Sequence, residues 1–351
     1  MFFALEASAP RSDLRAAMLI FRKVLVALLA GACLFSADAG ELQPQGISAA
    51  AAYSAARTGG GMLVIQHGKT LFSSSANVSH KIYSGTKGFW ILAAISAENE
   101  GIINLDARVA DTITEWQGDA RKSRITVRQL LNFSSGIEPL FGLHENSFPD
   151  RDAAAIHASI VAEPGTRFIY GPAALQVFHE YFRRKLEAKG TTPTKYLEKK
   201  VLGPLGLGSQ RYLADGRGNP LLAAGFYLSA NQWAKEGQMI LNGGRPVLSQ
   251  GLSQCFRGSG ANRGFGMGFW TNQNAPGGRE VDVEGMLSRK WYEQEWGGMC
   301  LCRDAPSDLV CALGSGSQRL YVIPSMELIV VRFGNFGSFS DGTFLRMLLG
   351  K

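Results

Sequence analysis

The chain lacks a long apolar run, a block of one charge and any low-complexity tract. Its longest apolar stretch, residues 24–34, is too short to span a bilayer, which takes about 20 residues. With 46% hydrophobic and 19% charged residues, the composition is typical of a globular chain that can bury a large core. The net charge of +7 is spread along the chain without a basic block interleaved with aromatics. We therefore expect neither a nucleic-acid partner nor a stable membrane span after signal removal.

Several catalytic signatures are also missing. No Gly-x-Ser-x-Gly elbow occurs, which argues against an α/β-hydrolase triad. The five histidines are scattered and form no His-Glu-x-x-His helix, so we expect no metal site and no cofactor. The glycine-rich residues 264–270 lack the lysine of a phosphate loop, and they predict an aromatic strand instead. Acidic residues such as Glu98, Glu100 and those in residues 280–284 are interpreted as solvated.

Residues 1–39 predict an export signal. A basic pair precedes the apolar run, and residues 37–39, Ala-Asp-Ala, supply a small-x-small cleavage pattern. Counted from Met18 the signal has ordinary length, so translation from this later start is an open alternative. We expect a periplasmic or secreted product; a lipid anchor on Cys33 ranks second, because the residues before it resemble a lipobox only loosely.

Cysteine is scarce, and four of the five cysteines remain after signal removal. An even number in an oxidising compartment predicts disulfides, and four cysteines allow three pairings. We favour Cys302 with Cys311 and Cys255 with Cys300, because a bond between Cys300 and Cys302 would close a strained, very small loop.

The most informative feature that is present is Ser84-Gly85-Thr86-Lys87, which opens an apolar-periodic helix. Residues three apart share a helix face, so the Ser84 hydroxyl and the Lys87 amine can touch. A helix N-terminus also favours negative charge on a reacting oxygen. On its own the pattern is weak, since an N-cap serine with a solvated lysine is common.

The order of elements predicts an α/β (α+β) fold. An amino-terminal helix and a β-hairpin come first, helices dominate the middle, and three β-rich runs with a final helix close the chain. We expect an antiparallel sheet built from both chain ends and flanked by helices. Residues 40–351 would form a single catalytic domain, with a mostly helical lobe over roughly residues 88–240.

Further motifs accompany the Ser-x-x-Lys pair in a fixed order. They are Gly101-Ile102-Ile103-Asn104-Leu105-Asp106, Ile125-Thr126-Val127-Arg128-Gln129-Leu130-Leu131, Ser134-Ser135-Gly136, Pro164-Gly165-Thr166-Arg167-Phe168-Ile169-Tyr170, Pro204-Leu205-Gly206-Leu207 and Tyr321-Val322-Ile323-Pro324. In this order and spacing, the chain resembles the serine hydrolases of the β-lactamase and penicillin-binding-protein family, in particular the class C β-lactamase-like branch with its esterases and amide hydrolases. The resemblance covers about residues 61–333 and implies the β-lactamase/transpeptidase-like fold.

The resemblance also implies the roles of three residues. Ser84 would attack a carbonyl and form an acyl-enzyme, with Lys87 as its proton acceptor or partner. Tyr170 matches the tyrosine of a Tyr-x-Asn element and would act as general base with Lys87. Because a free tyrosine has a pKa of about 10, it can act as a base only if nearby cationic charge favours its phenolate. Burial or a second cation could instead lower the pKa of the lysine, so which of the two groups carries the proton stays open.

Two departures from the family pattern concern substrate recognition. Pro172 stands where penicillin-recognising members have asparagine. The Lys/His-x-Gly element appears as Gly314-Ser315-Gly316, without its cation. Arg319 is the candidate replacement, Ser315 and Ser317 are candidate hydrogen-bonding groups, and the backbone near Gly316 and Ser317 is the expected second oxyanion donor. Trp270 is expected to line the pocket.

We therefore expect an exported serine hydrolase that cleaves an ester or a small amide. Two alternatives stay open. One is a β-lactamase or D-alanyl peptidase that acts on cell-wall-like substrates, and the other is a non-catalytic, ligand-binding protein of the same fold.

Overall fold

The computed structural model describes residues 40–351, and residues 42–351 form one compact unit. The predicted signal, with Met18 and Cys33, lies outside the described residues. Within residues 40–351, no helix combines the length and the apolar character needed to cross a membrane.

A six-stranded antiparallel sheet forms the centre of this unit. Its strands, in chain order, are β1 (Gly61–Gln66), β2 (Lys69–Ser74), β5 (Trp270–Thr271), β8 (Val310–Gly314), β9 (Gln318–Ile323) and β10 (Leu328–Phe333), arranged in the order β2-β1-β10-β9-β8-β5. Two small sheets pair β3 (His80–Lys81) with β4 (Tyr227–Leu228), and β6 (Arg279–Glu280) with β7 (Met299–Cys300). Every residue of β8, β9 and β10 is buried, as expected for strands covered on both faces.

Helices cover the sheet and fill the middle of the chain. They are α1 (Pro44–Ala55), α2 (Thr86–Asn99), α3 (Val127–Leu131), α4 (Arg151–His157), α5 (Pro172–Glu187), α6 (Pro193–Leu197), α7 (Ala230–Leu241), α8 (Val283–Leu287) and α9 (Asp341–Leu349). Helix α7 packs on β9 and β10, where Gly237 lies close to the side chains of Leu320 and Ile329. The α1 and α9 helices pack against each other, and Tyr321 of β9 stacks on Phe344 of α9. Because neighbouring side chains of a strand point to opposite faces, Leu320 and Tyr321 show that helices cover both faces.

This architecture confirms the predicted fold class, an antiparallel sheet from both chain ends flanked by helices. The predicted hairpin, the three carboxyl-terminal strands and the final helix are present with small shifts of their ends. Thr126 caps α3 in a capping box with Gln129. The aromatic strand predicted at residues 264–270 is shorter than expected, since only Trp270 and Thr271 join the sheet.

The predicted disulfides are wrong for this structure, in which Cys255, Cys300, Cys302 and Cys311 are free, buried thiols. Their surroundings differ. Burial raises the pKa of both Cys255 and Cys300, and a nearby carboxylate adds to each shift, Glu236 for Cys255 and Glu280 for Cys300. The thiol of Cys302 donates to the carbonyl of Gly342, at 3.7 Å. Loop-length arguments could not foresee these positions, which depend on the packing of several elements.

Arg332 of β10 ties the sheet to the neighbouring loops. It is fully buried, and its guanidinium donates to Ser54 Oγ at 3.0 Å, to the Ser317 carbonyl at 2.8 Å and to the Arg57 carbonyl at 2.6 Å. Burial lowers the pKa of Arg332 to about 10, so it still carries its charge at neutral pH. One side chain thus joins α1, β10 and the turn between β8 and β9.

We predict that Arg332→Met lowers the free energy of unfolding by about 3 kcal/mol, because three buried acceptors lose their donor. The control is Arg217→Met, whose side chain is 75% exposed; we expect it to change that free energy by less than about 0.5 kcal/mol. Urea unfolding followed by tryptophan fluorescence measures both. Equal midpoints for the two variants would contradict this role of Arg332.

Candidate active site

The candidate nucleophile lies in a turn that leads into the central helix. Ser84 is in the 3₁₀ turn Tyr83–Gly85, and α2 begins two residues later than the serine, at Thr86. Lys87 is the second residue of α2. Its Nζ lies 2.8 Å from Ser84 Oγ and donates to the Ala223 carbonyl at 2.9 Å. The residue before the serine, Tyr83, has a φ of 46°, a strained conformation that is common at functional sites.

The Lys87 amine is almost completely withdrawn from water. Helix α2 is apolar on nearly all faces and therefore lies in the interior, and Lys87 is 2% exposed. Burial lowers the pKa of Lys87 to about 7. Within residues 40–351, no carboxylate forms an ion pair with it. A neutral amine can accept a proton, so the geometry and the pKa together suit a base for Ser84.

Tyr170 lies close to both Ser84 and the Lys87 amine. The Lys87 Nζ is 4.8 Å from the centroid of the Tyr170 ring. Burial raises the pKa of Tyr170 above its usual value, the Ser84 hydroxyl opposes this shift, and Glu284 adds to it. The expectation that a nearby cation favours the phenolate is therefore wrong for the resting site. Tyr170 is a neutral phenol there, and Lys87 is the better base.

These three residues share one cavity of about 500 Å³. Pro172, the residue at the changed third position of the tyrosine motif, lines it as well. The remaining lining is mostly apolar, and it comprises Phe141, His144, Gly171, Trp270, Val283, Glu284, Leu287, Ser288, Leu313, Gly314, Ser315 and Phe336. An apolar cleft with a few polar groups is the usual form of a small-molecule site.

The end of β8 lies directly against the turn that carries Ser84. A Cβ atom on Gly314 would be 2.1 Å from the Ile82 carbonyl oxygen, so only glycine permits this approach. Gly314 and Ser315 line the cavity. The N–H groups of Ser84 and Ser315 donate no hydrogen bond to any residue in the described part of the chain.

The expected oxyanion donors, Gly316 and Ser317, are occupied. The Gly316 N–H donates to Glu284 Oε2 at 3.0 Å, and the Ser317 N–H donates to Glu284 Oε1 at 2.9 Å. The prediction of a donor at these two positions is therefore wrong. The Ser317 side chain does not line the cavity either.

Arg319 does not replace the missing cation, which corrects a second expectation. Its side chain is 1% exposed and does not line the cavity. The guanidinium pairs with Asp341 of α9 at 2.6 Å and with Glu284 at 2.8 Å. Arg319 shares a strand face with Tyr321, which packs on α9, so its side chain is directed towards Asp341.

Aromatic rings form one wall of the cavity. Trp270 lies there, with its ring centroid 6.1 Å from that of Tyr170. Behind it, Phe168, Phe265 and Trp296 surround Trp270 at centroid distances of 4.9–5.8 Å. This cluster fixes both rings in a rigid apolar surface.

Sequence reasoning missed three polar residues of the cavity, His144, Glu284 and Ser288. Partial burial and the nearby Lys87 lower the pKa of the His144 ring. Its loop is held by Arg151, whose guanidinium donates to the carbonyls of Leu143 and Glu145, both at 2.7 Å. A histidine in an irregular loop carries no sequence signal for this position. Glu284 belonged to a run interpreted as solvated, and only the tertiary fold places it in the cavity.

Among the described residues, one group of side chains could approach a metal ion. It comprises Glu280, Cys302 and Asp304, whose ligand atoms lie within 4.8 Å of one another. Arg346 already pairs with both Glu280 and Asp304. A guanidinium between these carboxylates takes the place that a cation would need, so this group does not fit a metal site.

The family model described as Beta-lactamase matches residues 46–343. A search of curated proteins finds no match.

Solved structures with the same fold carry several activities in their descriptions. EstCE1, described as a hydrolase with promiscuous acyltransferase activity, has a TM-score of 0.62 and 16% identity, over 87% of this chain and 97% of its own. A class C beta lactamase from Rhodobacter sphaeroides has a TM-score of 0.62 and 17% identity, over 86% and 99% of the two chains. A D-stereospecific amidohydrolase from Streptomyces sp. has a TM-score of 0.61 and 16% identity, over 88% and 100%. At these identities the likeness shows the fold alone.

We predict that Gly314→Ala slows the reaction of Ser84 with a fluorophosphonate at least about 10-fold, because the new methyl group displaces the turn at Ile82. Gly208→Ala is the matched control, since a Cβ there meets no atom within 4 Å. Rates come from intact-protein mass spectrometry at fixed probe concentration. An unchanged rate in Gly314→Ala would show that β8 does not fix the position of Ser84.

Proposed function

The chain belongs to the beta-lactamase family, and from this premise we propose that it is a serine hydrolase that cleaves an ester or a small amide through an acyl intermediate on Ser84. Related members of the fold include esterases and amide hydrolases. The observation that carries the proposal is the 2.8 Å contact between Ser84 Oγ and the buried Lys87 amine.

Lys87 acts as the base in the first step. In its neutral form it accepts the Ser84 proton while the hydroxyl oxygen attacks the substrate carbonyl carbon. The lowered pKa of about 7 leaves a large neutral fraction at neutral pH. The Ala223 carbonyl accepts a hydrogen bond from the amine and so orients it.

The negative oxygen of the tetrahedral intermediate is stabilised by backbone N–H groups. We assign this role to Ser84 and Ser315, whose N–H groups are unpaired within the described residues and border the same cavity. Gly316 and Ser317 contribute indirectly, because their bonds to Glu284 hold the turn that presents Ser315.

Tyr170 acts on the leaving group. As a neutral phenol beside Ser84 and Lys87, it can donate its proton to the departing oxygen or nitrogen and take it back through the Lys87 amine. Water then attacks the acyl carbon, with Lys87 again as the base. The proton that Lys87 takes from this water is then returned to Ser84 Oγ as the acyl group leaves, so the cycle ends with a neutral amine, a neutral phenol and a free serine hydroxyl.

The substrate class follows from what the recognition positions offer. Pro172 has no side-chain amide, and no cation faces the cavity from the Gly314–Ser317 turn, where Glu284 lies instead. A carboxylate on the substrate would meet the carboxylate of Glu284, which disfavours penicillin-like substrates. The apolar walls suit an uncharged acyl group or leaving group of modest size.

Export of the enzyme is a further part of the proposal. It is supported by the cleavage pattern at residues 37–39 and the apolar run before it. Amino-terminal sequencing of the protein from its native host tests this part, with a new terminus at residue 40 as the expected result.

We predict that Ser84→Ala abolishes hydrolysis of p-nitrophenyl butyrate, with a loss in kcat/KM of at least about 1000-fold, and that this variant gains no mass with a fluorophosphonate. The control is Ser253→Ala, an exposed serine outside the cavity, which should react like the parent chain. Folded protein in which Ser84 stays unmodified, or full activity in Ser84→Ala, would refute the proposal.

We predict that kcat/KM for this neutral ester rises with pH around an apparent pKa of about 7, because Lys87 must lose its proton before it can accept that of Ser84. Below this pH the amine is protonated and the rate falls tenfold per pH unit. Lys87→Met should remove this ascending limb along with most of the activity. A profile that rises only above about pH 9 would contradict the role of a desolvated Lys87.

A further inference from the structure

Glu284 occupies an unusual place for a carboxylate. It is the second residue of the short helix α8, it lines the cavity, and its side chain is 32% exposed. It also contributes to the raised pKa of Tyr170, so it lies within electrostatic range of the reacting groups. The proposed mechanism makes no direct use of this carboxylate.

The charged groups next to the cavity carry a net negative charge. Arg319 is shared between Glu284 and Asp341, so this group of three carries one net negative charge. Arg319 and Asp341 are buried behind the turn, and Glu284 alone of the three reaches the cavity. The lowered pKa values of Lys87 and His144 leave both largely neutral in mildly alkaline solution. Glu284 is then the main charge that a bound substrate meets.

Glu284 also has unused hydrogen-bonding capacity. A carboxylate offers about four acceptor positions. Oε1 accepts from the Ser317 N–H and forms an ion pair with the Arg319 guanidinium, and Oε2 accepts from the Gly316 N–H. One acceptor position on Oε2 therefore remains for a group in the cavity.

We propose that Glu284 selects substrates that carry an ammonium group, so that the preferred substrate is an ester or small amide of an amino compound. This inference rests on the proposed function of the same cavity. The ammonium group donates to Glu284 Oε2, while the scissile carbonyl lies at Ser84. The surrounding apolar walls lower the local dielectric, which strengthens this attraction and the repulsion of a substrate carboxylate.

Three p-nitrophenyl esters of similar size test the inference, with β-alanyl, butyryl and succinyl groups that are cationic, neutral and anionic. A second series compares 2-aminoethyl butyrate with propyl butyrate. In this series the leaving alcohol, and not the acyl group, is cationic or neutral. At pH 8 we expect the parent enzyme to have an about 10-fold higher kcat/KM for the cationic than for the neutral ester in at least one series. Among the p-nitrophenyl esters, we expect kcat/KM to be higher for the neutral than for the anionic ester. Ser84→Ala supplies the background rate.

The comparison of variants separates selection from a purely structural role. In Glu284→Gln the cationic preference should fall to about one, and Glu284→Asp should retain part of it. Because the ratio of two substrates is measured, a general loss of activity from a displaced turn cancels. Glu293→Gln, an exposed acid outside the cavity, should keep the parent ratio.

The outcomes are distinct. Cleavage of the neutral ester through Ser84 without a cationic preference in either series would overturn the inference and leave the proposed function intact. A preference that persists unchanged in Glu284→Gln would also overturn it. If no ester is cleaved and Ser84 is not acylated, the proposed function itself fails.

Discussion

The buried contact between Lys87 and Ser84 is the interaction on which the candidate site depends. An ammonium group in the interior without a partner carboxylate is costly, so the amine loses its proton near neutral pH. Helix α2 lies in the interior because it is apolar on nearly all faces. This interior position removes the Lys87 amine from water and so lowers its pKa. The same packing that stabilises the fold therefore lowers the pKa of the proposed base.

The other parts of the site are arranged around that helix by the sheet. Gly314 allows β8 to approach the turn before Ser84, and the two bonds from Gly316 and Ser317 to Glu284 fix the turn after β8. Arg332 also helps to hold this turn, because its guanidinium donates a hydrogen bond to the Ser317 carbonyl. The position of the turn after β8 thus depends on a buried network of charged side chains. Loss of one member of this network leaves its partners unpaired.

Much of the fold was predictable because its signals are local. The β-rich runs of the sequence predicted the hairpin and the three carboxyl-terminal strands that the structure contains. The proximity of Ser84 and Lys87 followed from helical spacing. Tyr170 came from the order of motifs, since no local pattern connects it with the serine.

The details that sequence reasoning missed depend on tertiary placement. A shift of the turn by one residue would decide whether Ser315 or Gly316 directs its N–H into the cavity. The residue that binds the Gly316 N–H, Glu284, is 32 residues away in sequence. The sequence does not reveal which sheet face Arg319 occupies. In the structure it lies on the face of Tyr321, towards α9. The free thiols likewise reflect packing that the spacing of cysteines does not encode.

The most direct test of the central claim is a measurement of the Lys87 pKa itself. Lysine labelled with ¹³C at Cε gives one NMR signal per residue, and the signal absent from Lys87→Met identifies Lys87. The account predicts a titration midpoint of about 7 in the folded protein. A midpoint above about 10, the value of a solvated lysine, would contradict it, because Ser84 would then have no neutral amine beside it at neutral pH.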